Sequence, residues 1–285
     1  MIERVGAGTA WQPGERVFGI SSLDSGDSDS AGLQQYAVME ANAIGKIPDS
    51  FSDEQAVTLP VNLVTSWAVL FTDAGFDITP PITTRGDPAT LSTSRSSVVI
   101  IGGGTNVGQL AVQLAHIAKI STIIVIAGPS NAARLKSMGA THVIDRHAPT
   151  DEITRQIHAA AGADGITQVY NCAQLQVDMA IAALASSKPS KLRLLLPMEE
   201  EEAQSLRHQR PLCDVAYMAD ITNKSLAPYT EQFWSDVQRW LQDGKILPTE
   251  YRVLNGLEKV EEINDALDAY RDFTRAGPQT VVKIG

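Results

Sequence analysis

Short runs of aliphatic and β-branched residues alternate with longer stretches whose apolar positions recur every three or four residues. The alternation is clearest from residue 97 to residue 196. Ser97–Ile101, Thr122–Ala127, His142–Asp145, Thr167–Cys172 and Leu192–Leu196 have strand length and strand content. Between them Asn106–Ala118, Asn131–Met138, Asp151–Ala161 and Gln176–Ser186 are helical in spacing. In the first of these, Val107, Leu110, Ala111, Leu114, Ala115 and Ala118 share a face. Gly139 ends the second as a C-terminal cap. Strands alternating with helices predict a parallel sheet covered on both faces, a doubly wound α/β domain.

The flanks read differently. Arg16–Ile20 follows a Pro13-Gly14 turn and is strand-like, Leu33–Val38 resumes a strand, and Ala43–Ile47 is another. Asp24–Ser30, rich in Ser, Asp and Gly, reads as a loop. Ser52 can cap a helix that opens on Asp53 and Glu54. Val61–Phe71 is helical, with Leu63, Trp67, Leu70 and Phe71 inward, and the Pro- and Ser-rich Asp77–Ser97 is a loop. Beyond Pro197 the pattern predicts a strand at Val215–Met218, a helix at Tyr229–Leu241 and a strand at Tyr251–Leu254. A helix at Leu257–Tyr270 and a closing strand at Thr280–Ile284 complete it. The acidic run Glu199–Glu202 reads as a solvated loop.

Composition narrows the class. With 285 residues, 44% apolar and 20% charged, the chain suits one large globular domain or two ordinary ones. A net charge of −10 repels phosphate backbones, so no nucleic acid partner is expected, although a local pocket for a phosphorylated cofactor stays open. Two cysteines, Cys172 and Cys213, give neither a four-cysteine zinc site nor a disulfide framework. The histidines His116, His142, His147, His158 and His208 lack ligand spacing, so no metal is expected. The start Met1-Ile2-Glu3-Arg4 is not a signal peptide, and the apolar stretches are too short for a membrane helix. A cytoplasmic protein follows as the expectation.

The candidate chemistry lies at Ile101-Gly102-Gly103-Gly104-Thr105-Asn106-Val107-Gly108. A pyrophosphate needs backbone N–H groups aimed at it, no Cβ in the way, and the positive end of a helix. Gly103 would make the tight turn and Gly108 would let the helix pack on the strand. Thr105 stands where the strict pattern has its middle glycine; its hydroxyl could bond a phosphate oxygen. The second strand ends in Ala127-Gly128-Pro129-Ser130-Asn131, with no carboxylate to hold ribose hydroxyls, which favours NADP(H) over NAD(H). Ser130 and Asn131 can donate hydrogen bonds there. Arg134 and Arg146 are candidate cations, and Lys136 reads better as an exposed helix charge. Cys172, with Asn171, Ala173 and Gln174, could line the cofactor cleft at the sheet's carboxyl edge.

The chain resembles the zinc-independent medium-chain dehydrogenase/reductase superfamily. The resemblance rests on Pro13–Gly19, on Lys46–Asp49 with Glu54–Pro60, on Gly102–Gly108 with Ala111–Ala115, and on Leu135–Ala140 with Val143–Asp145. Within it, the chain is similar to the fungal trans-acting enoyl reductases. The resemblance implies a Rossmann domain over 63–245 and a GroES-like substrate domain from 1–62 and 246–285. It also implies NADPH-dependent reduction of an activated C=C bond, on a small-molecule or carrier-bound acyl substrate in a biosynthetic pathway of the polyketide kind. Thr65 matches the family threonine near the nicotinamide. Relatives carry several dozen more N-terminal residues, so a truncated substrate domain is expected, covered by a homodimer or another partner. Asn131 stands where many relatives have a lysine for the 2′-phosphate.

Two functions follow. One is an NADPH-dependent enoyl reductase, for which Tyr36 and Tyr251 are conceivable proton donors and no catalytic acid is assigned. The other is a non-redox descendant that binds or cyclises a pathway intermediate or serves as a partner-binding scaffold. The intact glycine turn favours the first; the short N-terminus and the missing lysine favour the second.

Overall fold

The computed structural model describes residues 1–20, 28–30, 32–80, 96–162, 165–173, 177–218, 229–272 and 278–284. Most of the expected 77–97 loop, Gln174, Gln176 and residues 24–27 lie outside them. The chain divides into a middle unit, Leu63–Tyr229, and a terminal unit, Met1–Asn62 with Thr230–Gly285.

In the terminal unit, β1 (Val17–Gly19) pairs antiparallel with β2 (Ile44–Lys46). Residues 33–38 form no strand, contrary to the strand expected there. Val38 N–H donates to Asp29 C=O at 2.8 Å, while Tyr36 and Val38 are 73% and 63% exposed. Strand propensity reports fit to a pleated, half-buried surface, and this segment has no ladder to join. Helix α1 (Asp53–Val57) opens on a capping box: Ser52 Oγ accepts from Gln55 N–H at 3.1 Å, and Gln55 Oε1 accepts from Ser52 N–H at 3.0 Å. Helix α2 (Pro60–Phe71) follows and crosses the boundary between the units.

Within the middle unit, α2 buries Leu63, Trp67, Ala68 and Leu70, and the Trp67 ring meets Phe71 and Tyr229 at 5.6 and 5.9 Å. Six strands follow, with helices between them. β3 (Ser97–Ile101), α3 (Asn106–Ile117), β4 (Thr122–Ala127), α4 (Ala132–Ser137), β5 (His142–Asp145) and α5 (Thr150–Ala161) form the first half. β6 (Gln168–Asn171), α6 (Val177–Ala183), β7 (Ser190–Leu194), α7 (Glu200–Gln209) and β8 (Cys213–Tyr217) form the second. The sheet is parallel throughout, in the order β5-β4-β3-β6-β7-β8. That is the doubly wound Rossmann order, and its topological switch point lies at the carboxyl ends of β3 and β6. One face buries Val99, Ile101, Ile124, Ile126, Val169, Leu192 and Leu194 against Ile153, Ile157, Met179, Ile181 and Leu206 of the helices. Each such side chain contributes roughly 1.5–3 kcal/mol on burial.

The acidic run is not a loop. Glu199 caps α7, and Glu199 and Glu202 form a capping box, which places their carboxylates at the positive end of the helix. Ala203 and Leu206 are its buried anchors. On the other sheet face, Arg193 of β7 is 1% exposed. It donates to Asp214 Oδ2 at 2.6 Å and to the Gly75 carbonyl at 2.9 Å, which also accepts from Lys191 Nζ at 3.0 Å. These bonds pin the turn after α2 to the sheet.

The chain then returns to the terminal unit. Helix α8 (Thr230–Gln242) buries Phe233, Trp234, Val237, Trp240 and Leu241. Trp234 packs edge-on to Phe18 at 5.5 Å, and Gly45 leaves room for it, since a Cβ there would lie 2.7 Å from the indole. α8 thus packs with the chain ends, whereas the sequence expectation carried the middle domain on to 245. β9 (Tyr251–Asn255) pairs parallel with β10 (Gln279–Lys283), α9 (Val260–Arg271) lies between them in sequence, and Lys283 binds Glu54 at 2.6 Å. Among the described residues no helix is long and apolar enough to cross a membrane.

Candidate functional site

The glycine turn sits at the switch point of the sheet. Gly102, at φ +81°, starts the reversal, and the N–H groups of Gly102 and Gly103 both donate to the Ile126 carbonyl, at 2.9 and 3.1 Å. A side chain at Gly103 would enter Val125, and one at Gly108 would strike the Gly102 carbonyl. Both positions therefore require glycine, and α3 can lie directly on the turn. Thr105 takes the N-cap of α3 at φ −72°, ψ 160°, an ordinary extended conformation, so the missing glycine imposes no backbone strain. Its Oγ1 accepts from Gly108 N–H at 3.0 Å, leaving the hydroxyl proton free to be donated outward. Gln109 Nε2 holds the Gly104 carbonyl at 3.0 Å. Among the described residues no hydrogen bond engages the N–H of Gly104 or of Val107. Two backbone donors thus stay open where the helix dipole is positive, with Asn106 between them.

The second strand ends in a 3-10 turn over Pro129–Asn131, closed by Asn131 N–H to Gly128 C=O at 3.0 Å. The Asn131 carboxamide lies over Gly104, 2.9 Å from where a Cβ on that glycine would stand. Arg146, tied by its N–H to the Ala127 carbonyl at 3.0 Å, brings Nε to 3.7 Å from the corresponding point on Gly128. Asn131 Nδ2 is 3.9 Å from the same point. The structure therefore gathers Gly104, Gly128, Asn131 and Arg146, which lie up to 42 residues apart in sequence. The Arg146 side chain is exposed and has no carboxylate partner among the described residues. Asp145 next to it is turned onto its own backbone, accepting from His147 N–H at 3.0 Å. Ser130 is exposed on the turn and Arg134 half-buried in α4. Lys136 instead lines a shallow groove of about 440 Å³ along β5, with His142 and Arg155.

Cys172 follows β6, and its N–H donates to the Ile101 carbonyl at 2.8 Å. Its side chain is buried beside Tyr170, and burial pushes the thiol well above the usual range. Asn171 Oδ1 accepts from Ala173 N–H at 3.1 Å, and Ala173 packs so closely on Gly102 that a Cβ there would lie 2.6 Å from it. Thr65 is 9% exposed on α2, beside Ser66, whose hydroxyl donates to the Val107 carbonyl at 2.9 Å. Tyr36 and Tyr251 belong to the terminal unit. Sequence reading missed Gly128, Ser66 and Tyr170. The Gly-Pro pair was a usable signal for the first; nothing local marks the other two.

The cradle fits a dinucleotide: glycines where a Cβ would clash, open N–H groups at a helix start, and a cation with polar amides beyond the second strand. Among the described residues no group of three or more His, Cys, Asp and Glu could hold a metal ion.

Comparison with known proteins agrees with this geometry. The zinc-binding dehydrogenase family matches residues 106–188. The trans-enoyl reductase ACTTS2 of Alternaria alternata is 25% identical over 293 residues, spanning 100% of this chain and 81% of that protein. The solved structure of the CurK enoyl reductase superposes with a TM-score of 0.73 at 20% identity, covering 97% of this chain and 74% of that one. An NAD-dependent alcohol dehydrogenase superposes with a TM-score of 0.70 at 16% identity, covering 99% and 80%. The fold and the glycine cradle are those of a Rossmann-type dinucleotide-binding domain. The chain is similar to zinc-binding dehydrogenases over residues 106–188 and to a trans-enoyl reductase along its whole length.

Proposed function

We propose that the protein is an NADPH-dependent reductase of a conjugated C=C bond, acting on an acyl intermediate of a biosynthetic pathway. The observation that carries the cofactor half is the gathering of Gly104, Gly128, Asn131 and Arg146 at the ends of the first two strands. The reaction half is supported by the similarity to trans-enoyl reductases.

In this reading, the open N–H groups of Gly104 and Val107, with Asn106 between them, hold the pyrophosphate, Gly103 and Gly108 keep the turn clear of side chains, and Thr105 caps the helix while offering its hydroxyl proton. Arg146 provides charge, and Asn131 and Ser130 neutral donors, for a ribose 2′-phosphate; an NAD-type site would need a carboxylate there. Arg134 stands one helical turn further on. Thr65 lies toward the nicotinamide, and Cys172 keeps the end of β6 against the turn. When bound, the dinucleotide supplies a hydride to the β-carbon of the substrate, and a proton delivered to the α-carbon completes the saturated product.

A fluorescence titration with NADPH and, separately, NADH tests the reading. Saturable micromolar binding with NADPH preferred at least tenfold is expected. Absence of binding by either dinucleotide sinks the reductase reading and leaves the non-redox alternative.

A further inference from the structure

Helix α2 carries Thr65, and something must register that helix on the dinucleotide cradle. The structure supplies a direct tie. Ser66, fully buried, donates its hydroxyl to the carbonyl of Val107 at 2.9 Å, in the first turn of α3. That carbonyl belongs to one of the two residues whose N–H stays open toward the pyrophosphate. A second group backs the tie. Tyr170 of β6 is also fully buried, and its hydroxyl faces Ser66 and Cys172 without forming a hydrogen bond of ordinary length. Three elements, α2, α3 and β6, thus meet in a small polar cluster behind the glycine turn. A buried hydroxyl is costly unless it is bonded, so a serine spent here is expected to fix a geometry rather than fill space.

We propose that Ser66 is a positioning residue that holds Thr65, and with it the nicotinamide end of the cofactor, in register with the dinucleotide turn. The inference rests on the proposed NADPH site and adds which chain contact sets the geometry of its reactive end. Ser66 acts through Val107 and touches no substrate. Its loss leaves the glycines, Asn131 and Arg146 in place, so the adenosine and pyrophosphate contacts survive. What changes is the freedom of α2 to slide on α3, and therefore how tightly the nicotinamide ring is held. Small displacements at a reacting centre carry large rate effects, which gives such a tie its value.

The test needs no substrate. NADPH is titrated into the wild-type protein, Ser66→Ala and Ser66→Thr, and two quantities are read: the Kd and, at saturation, the enhancement and anisotropy of nicotinamide fluorescence per bound NADPH. The expected result for Ser66→Ala is a Kd within threefold of wild type and at least a twofold loss of enhancement. The hydroxyl restored in Ser66→Thr should recover most of that loss. A merely structural serine would lower Tm or the bound stoichiometry and leave the signal per bound NADPH unchanged. An enhancement in Ser66→Ala equal to wild type overturns the positioning role while the cofactor reading stands. Failure of the wild type to bind NADPH overturns both.

Discussion

Replacing Asp236 by Asn should stabilise this protein at neutral pH, although the substitution deletes half of an ion pair. Asp236 lies on the buried face of α8 among Phe233, Trp234, Val237 and Trp240, and is 5% exposed. Its Oδ1 accepts from Arg239 at 3.2 Å, while Oδ2 is buried with no hydrogen-bond partner. Burial dominates the balance and pushes the carboxyl from 3.8 up to about 6, with Arg239 and Gln232 offsetting only part of it. At 1.36 kcal/mol per pKa unit, that rise means about 3 kcal/mol lost from folding wherever both states are ionised. Below pH 3.8 both states are protonated and the penalty vanishes. Between 3.8 and 6 the folded state binds the proton and the unfolded state does not, so stability falls as pH rises; above 6 the full penalty applies.

Asn keeps the shape and removes the charge. It also leaves Arg239, whose side chain is 26% exposed and can be hydrated, and it brings amide protons that need acceptors. The net gain expected at pH 7.5 is therefore about 1–2 kcal/mol, shrinking toward zero at pH 4. Urea unfolding followed by tryptophan fluorescence at pH 4.5, 6 and 7.5 reads this difference, since Trp234 and Trp240 lie on the same helix. An Asn variant that is less stable at pH 7.5 by the same margin at every pH would refute the reasoning and make the Arg239 pair a net stabiliser.

Three further outcomes are expected. Arg146→Glu should weaken NADPH binding at least tenfold, about 1.4 kcal/mol, and leave NADH within threefold; equal losses for both would remove the 2′-phosphate role. Thr105→Ala should cost about 1 kcal/mol of stability through the lost N-cap, with Thr105→Ser recovering it, as measured by chemical denaturation. A thiol reagent at pH 8 should label Cys213 in the native protein well before Cys172, whose thiol burial holds protonated; equal rates, read by peptide mass mapping, would contradict the packing at the end of β6.

The parallel sheet was legible because its strands are buried on both faces and so read as unbroken apolar runs, Val98–Ile101 and Ile123–Ala127 above all. The glycine turn was legible for a related reason: its context is local, strand before and helix after. Legibility failed where an element's state depends on a distant partner. Leu33–Val38 carries strand-like residues, yet among the described residues no ladder receives it. Helix α7 offers only Ala203 and Leu206 as buried anchors, too few for a helical period to show, and its acidic start reads as a solvated run until the capping box is seen.

The candidate site divides along the same line. Gly103 and Gly108 could be assigned from their spacing, since each answers to a neighbour a few residues away. Lys136 could be set aside from sequence as an exposed helix charge, but Arg134 and Arg146 could not be ranked against each other, because both are cations near the end of the second strand. Topology ranks them. The parallel pairing of β4 with β5 sets Ala127 beside Asp145, so the next residue, Arg146, emerges at the end of the second strand beside Gly128 and Asn131. Lys136, only five residues past Asn131, has turned with α4 toward the outer groove. A parallel crossover brings together the two strand ends and rotates the intervening helix away from them, so in such a sheet proximity along the chain is a poor guide to shared chemistry. Ser66 and Tyr170 extend the argument: they meet behind the turn from α2 and β6, 104 residues apart, and only the packed structure makes them neighbours.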